Sequence, residues 1–339
     1  MNFSSWLGRS LMIFIPLIAA DTLCADDRAE VERWLDRMAH AVESLDYRGT
    51  LVHWRGDRFD TLKIIHRSDE SGVRERLFSL SGEPREILRD GNQVRSLLGG
   101  EGEVVVQSQL TARLLPNLPL RRLNMASEAY AMHVRDQERV AGHQTRVVEI
   151  LPRDEFRYGY RFWLEQQTGM LLRSALLDQD GSPVQQLTFV EVELGAPIND
   201  HELEPQIRSE VVVERRMLQN VPTFENLTAF DSESAGLSRW TPPIVPAHFH
   251  LARQGQGESE NGSEFKHLLY SDGLASFSVY IEEDDQGQRG TRLESLGSVH
   301  VYTGRLDDYQ ITIVGEVPKA TVRLVGQSLQ GDTEPTDSR

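Results

Sequence analysis

The chain has 339 residues, a formal net charge of −16 and a single cysteine. That length holds two domains, and the acidic balance excludes nucleic acid or an anionic membrane as a partner held by bulk charge, because a phosphate surface repels it. One thiol excludes an internal disulfide and any cysteine-rich metal site, so an oxidising compartment is tolerated without being used.

Residues 1–25 read as an export signal. Arg9 stands in a short polar start and an apolar run follows from Leu11 to Ala20, broken by Pro16. About ten apolar residues are too few to cross a bilayer, which takes roughly 20. Cleavage is expected between Ala20 and Ala25. Asp21, Thr22 and Leu23 precede Cys24 where a lipoprotein cysteine needs small residues, which favours removal or an idle thiol over lipidation. The mature chain is expected to be soluble and exported.

Residues 26–199 read as one domain. Val31, Trp34, Leu35, Met38, Val42 and Leu45 form one stripe of a helix predicted over Asp27 to Leu45 that packs on a sheet. Strands are predicted at Tyr47 to Trp54, Phe59 to His66, Val73 to Leu80, Arg85 to Arg89 and Gln93 to Leu98. Gly56-Asp57, Ser81-Gly82 and Asp90-Gly91-Asn92 supply turns between them. From Val104 to Met132 the pattern breaks: leucines including Leu110, Leu114, Leu115, Leu118 and Leu120 crowd together while Pro116 and Pro119 forbid one continuous helix. Short helical pieces over an open sheet fit this stretch, either as fixed cover or as a lid on a ligand cavity. Strands resume at Met132 to Arg139 and Thr145 to Leu151.

The segment from Arg157 to Glu193 is the clearest, with three antiparallel strands joined at Thr168-Gly169 and Asp180-Gly181. Alternation places Tyr160, Phe162, Leu172 and Leu176 on a face that needs cover, and leaves Arg161, Glu165 and Arg173 on one that can stay wet. Successive hairpins mean an antiparallel meander, a barrel or a half-open one.

Residues 200–237, rich in Glu, Gln, Asn, Pro and Ser with one short strand at Val211 to Val213, read as a connector. A smaller α+β domain is expected over 238–330, with residues 331–339 as a disordered tail. Its entry is WTPPIVPAHF at 240–249, followed by a polar, glycine-rich loop from Gln254 to Gly262. Strands follow at Phe265 to Tyr270, Ala275 to Ile281, Ser298 to Thr303 and Tyr309 to Val314. A last helix starts near Pro318 with Val322, Val325 and Leu329 on one face.

No catalytic spacing stands out: there is no His-Glu-x-x-His, no Gly-x-Ser-x-Gly and no phosphate-binding glycine loop. His248 and His250 fall two apart on a predicted strand, a metal candidate without a third ligand, and a surface pair is the simpler reading. Glu282 to Asp285 reads as a solvated hairpin tip before a cation site. Tyr47, Trp54, Tyr158 and Tyr160 are pocket-lining candidates whose default is the core. The expectation is therefore no enzyme, no cofactor and no metal.

Several long stretches carry a resemblance: DYRGTLVHWRGDRFDTLKIIHR at 46–67, SGEPREILRDGNQV at 81–94, RYGYRFWLEQQTGMLLRSALLDQDG at 157–181, WTPPIVPAHF at 240–249, LLYSDGLASFSVYI at 268–281 and ITIVGEVPKAT at 311–321. They are similar to the RseB/MucB family of periplasmic regulators of the envelope-stress sigma factor. The resemblance implies a LolA-like half-open β-barrel with covering helices, mainly antiparallel β, beside a smaller C-terminal α+β domain. It implies a periplasmic protein that binds the periplasmic part of an RseA/MucA-like anti-sigma factor, shields it from regulated proteolysis and releases it on meeting lipid or lipopolysaccharide. A homodimer is compatible with it, and a LolA-like lipid or lipoprotein carrier is the alternative.

An acyl chain of a dozen carbons gains on the order of 10 kcal/mol on leaving water, at roughly 0.8 kcal/mol per methylene, before ordering costs. Under this reading acyl chains enter between the face of Tyr160, Phe162, Leu172 and Leu176 and the cover bearing Leu114, Leu115 and Leu118. Arg121 and Arg122 are the candidate head-group site. The hairpin carrying Leu268, Tyr270, Ser271, Asp272, Gly273 and Phe277, together with the connector, is the expected docking surface for the anti-sigma peptide.

Overall fold

The computed structural model describes residues 20–91, 93–98, 103–108, 128–207, 211–213, 241–258, 264–283 and 290–330. Helix α1 (Ala20–Ser44) begins earlier than its apolar stripe and ends one residue before Leu45, whose amide donates to Ala41 O. The strands that follow are β1 (Tyr47–Arg55), β2 (Arg58–Asp69), β3 (Gly72–Ser79), β4 (Arg85–Asp90), β5 (Gln93–Leu98) and β6 (Glu103–Ser108). Next come β7 (Tyr130–Val140), β8 (His143–Pro152), β9 (Gly159–Glu165), β10 (Leu171–Leu177) and β11 (Pro183–Leu194). With β12 (Val211–Val213) they form one 12-stranded sheet in the order β12-β6-β5-β4-β3-β2-β1-β11-β10-β9-β8-β7. The ladder is antiparallel except where β12 runs parallel to β6, and its edge strands do not pair. This is the half-open, antiparallel sheet expected from the repeated hairpins.

Val31, Leu35, Met38 and Ala41 of α1 lie buried in one cluster with Leu51, Ile64, Val148, Phe162, Leu164 and Phe189. The helix is tied down at its middle as well. Arg37 donates to Gln166 O and Gln167 O in the β9–β10 turn, at 3.1 and 2.7 Å. Gly169 in that turn has φ +83°, and a Cβ there would stand 2.8 Å from Arg37 Cβ, so the position needs glycine for conformation and for space.

Three local expectations change. Val104 was expected to open an irregular apolar stretch, but Val104-Val105-Val106 lies in β6 paired to β5, because a β-branched run beside a free strand edge extends the ladder. The segment expected to be a loop from Gln254 carries β13 (His250–Glu258) instead. Gly257 lies opposite Phe265, and a Cβ there would meet Phe265 Cζ at 2.7 Å, so glycine in this strand makes room for a ring. A further strand, β16 (Arg292–Leu296), pairs with β17 (Val299–Leu306).

The second sheet is six-stranded, ordered β13-β14-β15-β18-β17-β16, with β14 (Glu264–Ser271), β15 (Ser276–Glu283) and β18 (Tyr309–Gly315). Helix α2 (Lys319–Gln330) buries Val322, Val325 and Leu329 in a separate core with Phe277, Val279, Tyr302, Ile311 and Ile313.

The predicted connector starts as an anchored segment. Asn199 and Glu202 cap a one-turn helix at Asp200–Leu203, and Leu203 packs with Ile65 and Ile198. Arg76 and Glu86 form a buried ion pair at 2.7 Å. Arg76 donates to Glu202 O while Glu86 accepts from the amides of Gln206 and Ile207. The pair thereby satisfies backbone groups that neighbouring strands do not reach.

Candidate functional site

The four sheet residues expected to meet acyl chains are brought together. Tyr160 pairs with Leu176, and its ring stacks on Phe162 at 6.0 Å. Register shifts between Leu171 and Arg173, so Leu171, not Leu172, stands opposite Leu164. The extra residue in β10 resets the alternation, and Leu172 enters the core from the irregularity. Phe162 has no exposed surface, and the same cluster includes the apolar stripe of α1. Burial pushes the Tyr160 phenol well above its usual range. Leu114, Leu115, Leu118, Arg121 and Arg122 lie outside the described residues.

The opposite face is not left wet. Trp163 is 5% exposed, with the Arg161 and Arg173 guanidinium groups 5.9 and 4.9 Å from its ring centroid and its Nε1 donating to Glu138. Arginine stems and planes cover the indole, which a reading by alternation alone counts as exposed. Burial pushes the Glu149 carboxyl up, but hydrogen bonds from Arg135 and Arg161 outweigh it and hold it below the usual carboxylate range. Glu165 is buried too, accepting from the Gln167 and Thr168 amides and from Thr168 Oγ1.

The four candidate aromatics do not share a pocket. Tyr47 is buried and stacks on His66 at 4.6 Å, while Trp54 meets the exposed Phe59 at the β1–β2 hairpin end. Tyr158 lies at the junction of the two sheets.

The hairpin expected to dock a peptide is strands β14 and β15, both internal to the second sheet. Leu268, Tyr270 and Phe277 point into its core, with Tyr270 stacked on Phe277 at 5.2 Å. Ser271 and Gly273 shape the turn: Ser271 Oγ donates to Ala275 O and accepts from the Gly273 amide. Asp272 does something spacing did not reveal.

Asp272 is fully buried and pairs with Arg157, also fully buried, at 2.6 Å. Its Oδ2 also accepts from Tyr130 OH, while Oδ1 accepts from the amides of Leu274 and Ala275 at 2.8 Å each. Arg157 donates further to Asp154 and to Ala247 O, and its guanidinium lies 4.7 Å from the Phe249 ring. Burial, and then the neighbouring Asp272 charge, raises the Tyr130 phenol well above its usual range, so it remains a donor.

The same seam continues outward. Tyr158 OH meets His300 Nε2 at 3.0 Å, Thr321 Oγ1 donates to Phe156 O, and Ser298 Oγ, which donates to Glu316, lies 3.3 Å from the Gln185 side-chain amide. Burial pushes the Tyr158 phenol up to about 12. One carboxylate therefore organises a turn of the second sheet and binds it to the first.

His248 has φ +66° and precedes β13, so it does not share a strand face with the exposed His250. Among the described residues no group of three metal-ligating side chains comes together. Glu282 accepts from Gln310, and Asp284 and Asp285 lie outside the described residues.

Buried His267 stacks on Tyr280 at 4.5 Å, and burial lowers its imidazole to about 4. The unfolded chain therefore binds a proton between about 6.5 and about 4 that the folded chain excludes, so stability falls on acidification through that window. Thermal unfolding followed from pH 7 to 4 should show Tm dropping, and His267→Gln should flatten the drop.

Residues 30–207 match the MucB/RseB N-terminal domain family, and residues 234–330 the MucB/RseB C-terminal domain family. The sigma factor AlgU regulatory protein MucB of Pseudomonas aeruginosa is 31% identical over 314 residues, 90% of this chain and 92% of that protein. The sigma-E factor regulatory protein RseB of Escherichia coli is 24% identical over 327 residues, 96% of this chain and 97% of that protein. Among solved structures, MucB in complex with MucA(peri) superposes with a TM-score of 0.64 at 29% identity, covering 87% of this chain and 96% of that one. The Pseudomonas aeruginosa MucA/MucB complex gives 0.65 at 28% identity over the same shares. Two family matches in tandem, a relative alike nearly end to end and the paired sheets together place this chain in the MucB/RseB family of sigma factor regulatory proteins.

Proposed function

We propose that this protein acts in the periplasm as a non-enzymatic regulator. It binds the periplasmic part of an RseA/MucA-like anti-sigma factor, shields it from regulated proteolysis and releases it when lipid or lipopolysaccharide acyl chains bind. The observation that carries the reading is the likeness, over 87% of the chain, to MucB in complex with MucA(peri). In this reading residues 26–199 form the lipid-responsive domain, 200–237 the connector and 238–330 the domain that assists peptide capture.

Tyr160, Phe162, Leu172 and Leu176 line the acyl site, with Leu114, Leu115, Leu118, Arg121 and Arg122 as its cover and head-group contacts. The β14–β15 hairpin holds the peptide-binding surface in place through Leu268, Tyr270 and Phe277. Peptide and lipid then oppose each other by stabilising different arrangements of one protein.

Calorimetric titration of the mature protein with the periplasmic segment of the anti-sigma factor tests the first half: saturable binding is expected, and its absence overturns the reading. Repeating it with lipopolysaccharide present tests release, where unchanged affinity removes the lipid step. A Phe162/Leu172 double polar variant that folds and still retains a fluorescent fatty acid moves the acyl site elsewhere.

A further inference from the structure

We infer that the end of the larger sheet closed by the Ser271–Leu274 turn is the portal for an alkyl chain, with Leu274 the side chain it displaces and the Arg157–Asp272 pair the catch that keeps it shut. This rests on the lipid-responsive reading above and names the step that couples lipid to the second sheet.

Four strands of the larger sheet meet the smaller unit at the same end. Arg55 at the end of β1 lies against Gly297, and the Gln185 side chain at the start of β11 lies 3.3 Å from Ser298 Oγ. Tyr158, just before β9, meets His300, and Tyr130 at the start of β7 donates to Asp272. Among the described elements, the other cover of the apolar core is α1, which is costlier to open. Lifting α1 would expose Val31, Leu35, Met38 and Ala41, all buried, together with the sheet residues beneath them.

At the capped end a single apolar side chain crosses over. Among the described residues, Leu274 is the one hydrophobic side chain of the smaller unit that packs on the larger core, and it is only partly buried. An alkyl chain taking its place replaces like with like, so the core loses little apolar contact.

What opposes the exchange is polar. Asp272 Oδ1 holds the turn through the Leu274 and Ala275 amides, while Oδ2 holds Arg157 and Tyr130. Moving Leu274 out therefore strains the bond between the two sheets, and loosening that bond frees Leu274. Ligand binding and the docking of the smaller unit become reciprocally linked through one carboxylate.

The test uses the whole mature protein, a dansyl-labelled medium-chain fatty acid and three variants: Leu274→Ala, Asp272→Asn and, as a control on an exposed residue in the middle of β11, Val190→Ser. Removing the competing side chain or weakening the catch should tighten probe binding about tenfold, while Val190→Ser leaves it unchanged. In the unaltered protein, saturating probe should accelerate hydrogen exchange at the Leu274 and Ala275 amides. Binding by the unaltered protein that is indifferent to Leu274→Ala, with those amides still protected at saturation, overturns the portal and leaves the lipid reading standing. Absence of probe binding in every form overturns both. The exchange measurement keeps the question decidable should Asp272→Asn fold poorly.

Discussion

Arg157→Ala should destabilise the protein by about 3–5 kcal/mol, because it strands the Asp272 carboxylate in a site with no access to water. The arginine touches more than its ion partner: Ala247 O loses a donor at 2.6 Å, and the Phe249 ring loses the cation beside it. Tyr130 and two amides continue to bond Asp272, which keeps the loss below that of a wholly unsatisfied charge. Denaturant unfolding measures the change. A double variant, Arg157→Met with Asp272→Asn, should recover a substantial part of it, since a neutral amide still accepts from the Leu274 and Ala275 amides while the stranded charge is gone. The seam variant should also separate the melting of the two sheets, whose cores are otherwise independent clusters. A loss under about 1 kcal/mol in the single variant means that the pair does not hold the seam.

Phe162→Ala should cost about 3–5 kcal/mol, the range for emptying a fully buried aromatic site whose neighbours cannot collapse. Collapse is resisted from both sides, by the β-ladders of β9 with β8 and β10 and by α1, which Arg37 fixes to the β9–β10 turn. The comparison is Phe59→Ala on the same sheet: that ring is 67% exposed, and its removal should change stability by no more than about 0.5 kcal/mol. Equal losses at the two positions contradict the packing described. Because the cavity left by Phe162→Ala is apolar and enclosed, the truncated protein should also regain stability from a small apolar solute such as benzene, seen as a rise in Tm.

Much of the fold was legible in the sequence because its determinants are local. Period-two alternation and the Asp90-Gly91, Thr168-Gly169 and Asp180-Gly181 turns fix strands and hairpins by contacts between near neighbours, and those strands stand where expected. The apolar stripes of α1 and α2 were equally plain, as was the gathering of Tyr160, Phe162 and Leu176 on one face.

Tertiary structure decided the rest. Whether Leu171 or Leu172 stands opposite Leu164 depends on one residue of slippage in β10, which alternation cannot see. Trp163 is covered by arginines from its own and the neighbouring strand, and a glycine-rich stretch that looks like a loop becomes strand, with Gly257 making room for the Phe265 ring across from it. Above all, Arg157 and Asp272 are 115 positions apart, and each looks like an ordinary turn residue in its own neighbourhood. A buried charge pair is specified by where two chain segments meet and how completely they exclude water, and no spacing along the chain encodes either quantity.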